Sequence, residues 1–225
     1  MNGVLQSIRT TILMAFRTLP LILVSFVGFL GLGLGNIGLF ILFVGQVLIV
    51  PLATTLVQMI AGIAQPPINA NGSLFFVRSS NVGLLVPDSS FDSPFQNVAP
   101  SYWMAQVMFF AAYMLSNALT ILNIPVDSKL DPILVSNRKS KAMTIIVVIS
   151  TLTMLAAILR FTTHSETPVG ILLAILVGGG LGYGWYQFAV ICGARAADVF
   201  GVIQQIIPPS ATADKPMTCV YAPKP

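Results

Sequence analysis

The sequence predicts an all-α integral membrane protein, a helical bundle of about five spans. Of the 225 residues, 56% are apolar and 8% are charged, against roughly 25% charged residues in ordinary soluble domains. Five apolar runs approach or exceed the roughly 20 residues that a helix needs to cross the hydrocarbon of a bilayer. A soluble protein of this size needs many ionic groups on its surface. This chain has too few, so we expect lipid instead of water around much of its surface.

The first two apolar runs are separated only by Gly35 and Asn36, so they form either a tight helical hairpin or one broken element. The second possibility would reduce the spans to four. We favour the hairpin, because the glycines at the junction and Asn36 tolerate the backbone of a tight turn. The five runs comprise residues 19–34, 37–63, 102–124, 142–161 and 169–192.

Pro51 lies inside the second run, where it removes a backbone N–H and is expected to kink the helix. Thr54 and Thr55 follow within one turn. Their hydroxyls are expected to satisfy the backbone groups that the proline frees.

The chain divides into five regions by composition. Apolar residues at helical spacing predict an amphipathic helix before the first span and a second one after the last span. The regions are an amphipathic N-terminal helix at 1–18, a transmembrane helical hairpin at 19–64, an extramembrane loop at 65–101, a three-span region at 102–192 with a basic loop at 125–141, and an amphipathic helix with an extended tail at 193–225.

The loop at 65–101 differs in composition from the spans, since it holds five prolines and several serines and asparagines. Two apolar patches in it, residues 74–77 and 82–86, have the length and β-branched content of short strands. We therefore expect a small extended or β-like cap, with a hairpin turn around residues 79–81.

Lys and Arg are distributed unevenly between the two sides of a five-span arrangement. The side that carries the 125–141 loop and the tail has more of them, which places that side in the cytosol and the 65–101 loop opposite. Because the basic residues flank apolar runs, they indicate topology and not a nucleic-acid surface. Asn71 begins an N-x-S sequon in the loop, which fits a lumenal face.

The last span is rich in glycine. Gly182-Tyr183-Gly184 matches the core of a potassium-channel filter. The residues on either side differ from those of the filter, however, and the sequence has no separate pore helix beside it. We interpret the glycines as two overlapping small-xxx-small patterns that let helices approach closely in lipid. The helix-packing residues are Gly178, Gly180, Gly182 and Gly184.

No charged residue or histidine lies well inside any span, and the polar residues there are neutral, which favours interhelical hydrogen bonds over ion or proton transport. The single histidine, His164, lies beside Glu166 in a short loop, and one such pair does not complete a zinc site. We find no motif for a nucleophile or for metal-dependent hydrolysis. We therefore predict no enzymatic activity, no cofactor and no metal, and we interpret Cys192 and Cys219 as free thiols.

The general layout, the glycine-rich last span, the stretch from Gly193 to Phe200 and the tail from Lys215 to Tyr221 resemble membrane proteins of large icosahedral double-stranded DNA viruses. Such proteins sit in the virion membrane beneath the capsid and attach it to minor capsid proteins. The resemblance implies a structural role at a virion inner membrane. The expected partner-binding residues of the tail are Lys215, Pro216, Met217, Val220 and Tyr221.

The leading hypothesis is a non-enzymatic multi-pass structural protein. Its spans contact lipid, and its loop 65–101 and tail 208–225 bind other structural or capsid proteins. One alternative is a small oligomeric channel or carrier, arranged symmetrically around spans that contain Gln46, Gln58 or Gln187. A further alternative is a membrane subunit of a cellular complex.

Overall fold

The computed structural model describes residues 16, 18–63, 76–77, 97–98, 100–124, 132–162, 168–193 and 199. The secondary structure of these residues is helical except for two strands of two residues each. In chain order the elements are α1 (Leu19–Gly33), α2 (Ile37–Val44), a π-helical turn π1 (Gly45–Ile49), α3 (Val50–Ile63), β1 (Phe76–Val77), β2 (Asn97–Val98), α4 (Tyr102–Asn123), α5 (Pro132–Thr162), α6 (Pro168–Ala174), a second π-helical turn π2 (Ile175–Gly179) and α7 (Gly180–Ile191).

Four helices of the described part are long and apolar enough to cross a membrane, which confirms a membrane protein with transmembrane helices. The expected number was about five. The difference is α1, whose 15 residues reach only about 22 Å, short of the roughly 30 Å of hydrocarbon. The four candidate spans are Ile37–Ile60, Tyr102–Asn123, Val135–Thr162 and Pro168–Ile191.

The first two apolar runs form a hairpin and not one broken element. Gly35 takes the left-handed backbone at φ 62°, which glycine adopts without steric cost. The Oδ1 atom of Asn36 accepts a hydrogen bond of 3.1 Å from the backbone N–H of Leu39 and so caps α2. Close packing of the two arms needs Gly31, where a Cβ atom would lie 3.0 Å from the backbone N of Phe40.

Helix α4 is the centre of the bundle. Two thirds of its most apolar window, 67%, is buried inside the protein, against 11% for the span in α5. The exposed side chains of α5 include Val147, Leu152 and Met154. An apolar surface of that extent fits lipid as its surroundings.

The two ends of the bundle are distinct. The hairpin turn at Asn36, the end of α4, the start of α5 and the end of α7 form one end, which we call the tail end. The opposite end, the loop end, joins Phe16 to α4, because the Nε1 atom of Trp103 donates to the carbonyl oxygen of Phe16 at 3.2 Å. Arg160 lies over the ring of Trp103 at the same end, 4.9 Å from its centroid.

Helix α5 begins at Pro132, so the predicted basic loop 125–141 is wrong in its second half. Arg138 is 2% exposed, and its Nη2 atom donates to the carbonyl oxygen of Ile124 at 2.8 Å. A guanidinium that binds the last carbonyls of a helix complements the negative end of the helix dipole. Arg138 is therefore buried against the end of α4, whereas Lys139 and Lys141 are exposed.

The described part of the 65–101 loop contains one short strand pair. β1 and β2 are antiparallel, with Phe76 opposite Val98 and Val77 opposite Asn97. The first apolar patch thus pairs with a segment that the sequence analysis did not single out, and the expected pairing with residues 82–86 is not among the described contacts. The predicted turn at residues 79–81 lies outside the described residues, as do most of the two terminal amphipathic helices.

The four glycines of the last span divide into two faces. A Cβ atom on Gly178 would overlap the carbonyl oxygen of Ala105, and one on Gly182 would overlap that of Phe109. A Cβ atom on Gly180 or on Gly184 would have no heavy atom within 4 Å. One small-xxx-small pair therefore lies against α4, and the other faces outward.

Substitution of Gly182 by alanine is expected to lower the free energy of unfolding by about 1–3 kcal/mol, because the new methyl group meets backbone that has no room to move. Thermal unfolding of the full chain in detergent micelles measures this. Gly180→Ala is the matched control and is expected to be neutral or stabilising, since alanine favours helix over glycine. Equal melting temperatures for the two variants would contradict the close contact with α4.

Candidate functional site

The centre of the bundle holds a backbone carbonyl that its own helix cannot satisfy. In π1 the N–H of Val50 donates to the oxygen of Gly45, five residues back, instead of to the oxygen of Gln46. The next residue is Pro51, which has no N–H to offer. The carbonyl oxygen of Gln46 is therefore left without a donor from its own helix, in a place where an unsatisfied group costs about 1–3 kcal/mol.

Gln106 of α4 supplies the missing donor. Its Nε2 atom lies 2.7 Å from the backbone oxygen of Gln46 and also 2.7 Å from the hydroxyl of Tyr102. Both glutamines are fully buried. The contact satisfies the freed carbonyl and fixes the register of the second span against α4.

Two further side chains donate to carbonyls of α2. The hydroxyl of Tyr113 in α4 lies 3.2 Å from the oxygen of Gly38, and the Nε1 atom of Trp185 in α7 lies 2.8 Å from that of Ile41. A Cβ atom on Gly45 would collide with Trp185 and with Phe109, so the first residue of π1 must be glycine for these rings to fit.

The threonines after Pro51 do not have the role that the sequence predicts. Thr54 is buried, yet its hydroxyl oxygen has no hydrogen-bond partner, and Thr55 is exposed. The freed carbonyl of Gln46 accepts its hydrogen bond from Gln106 of α4 instead. Gln58, one turn further along, donates instead to the carbonyl oxygen of Pro100 at 2.8 Å and ties α3 to the loop end.

Several buried polar atoms of this cluster have no partner. They are both amide atoms of Gln46, the Oε1 atom of Gln106 and the hydroxyl oxygen of Thr54. Amides and hydroxyls donate and accept hydrogen bonds but do not titrate near neutral pH. The cluster can therefore bind helices together and hold neutral polar groups, but its side chains are not suited to general acid–base work.

At the tail end, the chain after the last span returns to the hairpin turn. The Nδ2 atom of Asn36 donates to the carbonyl oxygen of Val199 at 3.0 Å. Val199 is 3% exposed and belongs to the main hydrophobic cluster of the bundle. Val199 is thus held at a fixed point beside Asn36.

The predicted tail residues Lys215, Pro216, Met217, Val220 and Tyr221 lie outside the described residues, as do His164, Glu166, Cys219 and Asn71. Cys192 is exposed and has no disulfide partner. Among the described residues, no group of His, Cys, Asp or Glu could hold a metal ion.

Comparison of the chain with known protein families, with characterised proteins and with solved structures finds no match. The interpretation of the site therefore depends on its geometry alone.

The sequence analysis missed the partners of the buried polar groups. Gln106 is one of the neutral polar residues within the spans, but nothing near it in sequence indicates the carbonyl of Gln46, which is 60 residues away. The usable signal is Pro51, because a proline inside a span requires a donor from another helix. Trp185 and Arg138 carried no comparable signal.

Replacement of Gln106 by leucine is expected to destabilise the protein by about 1–3 kcal/mol, since it leaves the carbonyl of Gln46 unpaired. Pro51→Ala restores a backbone N–H that can reach this carbonyl. The cost of Gln106→Leu should therefore be about 1 kcal/mol smaller in the Pro51→Ala background. The measurement is the free energy of unfolding, in detergent micelles, of the unmodified protein, the two single variants and the double variant, which together form a double-mutant cycle.

Gln46→Leu is the control for loss of a buried glutamine, because the side-chain amide of Gln46 has no partner to lose. It is expected to cost less than Gln106→Leu. If Gln106→Leu costs the same with proline or alanine at position 51, then the freed carbonyl is not what Gln106 stabilises.

Asn36→Asp is expected to release the C-terminal segment without unfolding the hairpin. Aspartate still accepts the capping hydrogen bond from Leu39 but cannot donate to Val199, since an ionised carboxylate only accepts. Trypsin cleavage after Arg195 should accelerate about fivefold, as expected for a lost bond of about 1 kcal/mol. Asn36→Ala should show the same acceleration together with a lower melting temperature. Unchanged cleavage in both variants would contradict the anchoring role.

Proposed function

We propose that this chain is a non-enzymatic, multi-pass structural membrane protein. In this proposal its spans anchor it in lipid, and its loop 65–101 and tail 208–225 bind other proteins of a larger assembly. The observation that carries the proposal is the contact between Asn36 and Val199, 3.0 Å long, which fixes the origin of the C-terminal segment on the bundle. A binding segment that starts from a fixed point loses less freedom when it docks on a partner.

The use of polar groups inside the bundle also supports a structural role. The side chains of Gln106, Tyr113 and Trp185 donate to carbonyl oxygens of the second span. Each of these hydrogen bonds joins two helices. In lipid, where apolar burial does not drive helices together, such bonds and close packing hold a bundle in one arrangement.

The setting that we propose is a virion inner membrane, where the protein would link the membrane to capsid proteins. This part rests on the sequence resemblance of the last third of the chain to membrane proteins of large icosahedral DNA viruses. A capsid that is bound to its membrane needs a rigid anchor with extended arms, and both features agree with the described bundle and the length of the flanking segments.

A second candidate is an oligomeric channel. Of the three glutamines that this alternative invokes, Gln46 is buried within one chain and Gln58 is bonded to Pro100. Gln187 is exposed on the outer face of α7. A channel would therefore need several copies arranged around the Gln187 face.

The test is a pull-down from gently solubilised native membranes or particles. It compares the full chain with a chain truncated after Ile207, and a chain truncated after Ala222 serves as the control because it keeps Lys215 to Tyr221. We expect the first truncation to lose specific proteins that copurify with the full chain in constant ratio, and the control to retain them.

Retention of the same proteins by all three chains would contradict a binding tail. If the purified full chain also conducts ions when reconstituted in liposomes, and Gln187→Leu abolishes the conductance, the channel replaces the structural proposal.

A further inference from the structure

A groove opens on the outer surface of the bundle at the tail end, between the last turns of α4 and α7. Its volume is about 450 Å³, within the range of sites that hold small ligands. Most of the exposed lining is apolar, although five of its seven residues carry a polar group. The lining residues are Ser116, Leu119, Thr120, Asn123, Ile124, Tyr183 and Gln187.

The polar part of the groove lies near the ends of its helices. Asn123 is the last residue of α4, and Gln187 is four residues from the end of α7, or about 6 Å along the axis. On the same face of α7, a Cβ atom on Gly180 or Gly184 would have no heavy atom within 4 Å. We call this open strip of helix surface the furrow; it lies beside the polar residues Tyr183 and Gln187.

The polar groups of the groove differ in whether the described part of the chain uses them. The hydroxyls of Ser116 and Thr120 donate to carbonyls of their own helix, at 2.7 and 2.9 Å. No hydrogen bond within the described part of the chain involves the side chain of Asn123, Tyr183 or Gln187. Near the helix ends a lipid headgroup can supply hydrogen-bonding partners for these side chains, whereas hydrocarbon cannot.

The charges of the described residues at this end favour an anion. The described residues include four basic side chains, of which Arg138, Lys139 and Lys141 lie at the tail end, and no acidic side chain. Arg138 donates to Ile124, which itself lines the groove. Its Nε and Nη1 atoms are buried without partners, and a nearby negative charge would offset the cost of burying this cation.

The shape favours a flexible chain over a second helix. On a helix with 100° per residue, Tyr183 lies beside the Gly180 and Gly184 pair, and its side chain is 57% exposed. A projecting ring at that position keeps the backbone of another helix away from the glycines. An acyl chain is thinner and can follow the furrow past the ring.

We propose that the tail-end groove binds one anionic phospholipid of the adjacent leaflet. The phosphate and glycerol region lies against Asn123, Gln187 and Thr120, and one acyl chain lies over Gly180 and Gly184. This lipid site is separate from the binding of proteins by the loop and tail, and each can fail without the other.

The experiment uses the full chain purified in detergent and incubated with phosphatidylglycerol or phosphatidylcholine. Native mass spectrometry measures the fraction of protein that retains one lipid. Gln187→Leu removes the amide, and Gly184→Leu fills the furrow. Val148→Leu adds volume on the exposed face of α5, away from the groove, and is the matched control.

We expect retention of phosphatidylglycerol above phosphatidylcholine. Gln187→Leu should weaken it by about fivefold, the factor that one intramembrane hydrogen bond of about 1 kcal/mol represents. Gly184→Leu should also weaken it, because the new side chain occupies the place of the acyl chain, and Val148→Leu should leave it unchanged. Equal retention of the two lipids would overturn the anionic headgroup. Retention unaffected by both groove variants would overturn the site, and a dimer that Gly184→Leu dissociates without a change in lipid binding would assign the groove to a second copy of the chain.

Discussion

The missing N–H of Pro51 is the constraint from which much of this bundle follows. Water is absent from the hydrocarbon of a bilayer, so every backbone carbonyl there must find a donor within the protein. The proline together with π1 deprives the oxygen of Gln46 of its donor, and Gln106 replaces it. That bond fixes the register of the second span against α4, the most buried of the four candidate spans.

The same principle accounts for the choice of residues around α4. Glycines lie where backbone meets backbone, as at Gly178 against Ala105 and Gly182 against Phe109. Aromatic residues lie where a ring can fill space and still donate, as Trp185 does to Ile41. Close packing and directed hydrogen bonds therefore act together, and each compensates for the lack of a hydrophobic driving force between helices in lipid.

Hydropathy was sufficient to predict the helical class and the position of the four spans, because the length of an apolar run decides whether it can cross a bilayer. The hairpin turn was also predictable, since Gly35 and Asn36 are turn residues wherever they occur. The start of α5 was not, because Lys139 and Lys141 have the composition of a loop while Arg138 is buried against α4. The site could not be predicted, because its contacts join residues that are 60 to 163 positions apart in the sequence. No local sequence pattern indicates such contacts.

The bond from Asn36 to Val199 also has a consequence for biosynthesis. The hairpin turn leaves the ribosome early, whereas its partner is made only after the last span. During translation this bond can form only after α7 has been made, so the helices between the two residues can pack beside α2 before the bond joins Asn36 to Val199.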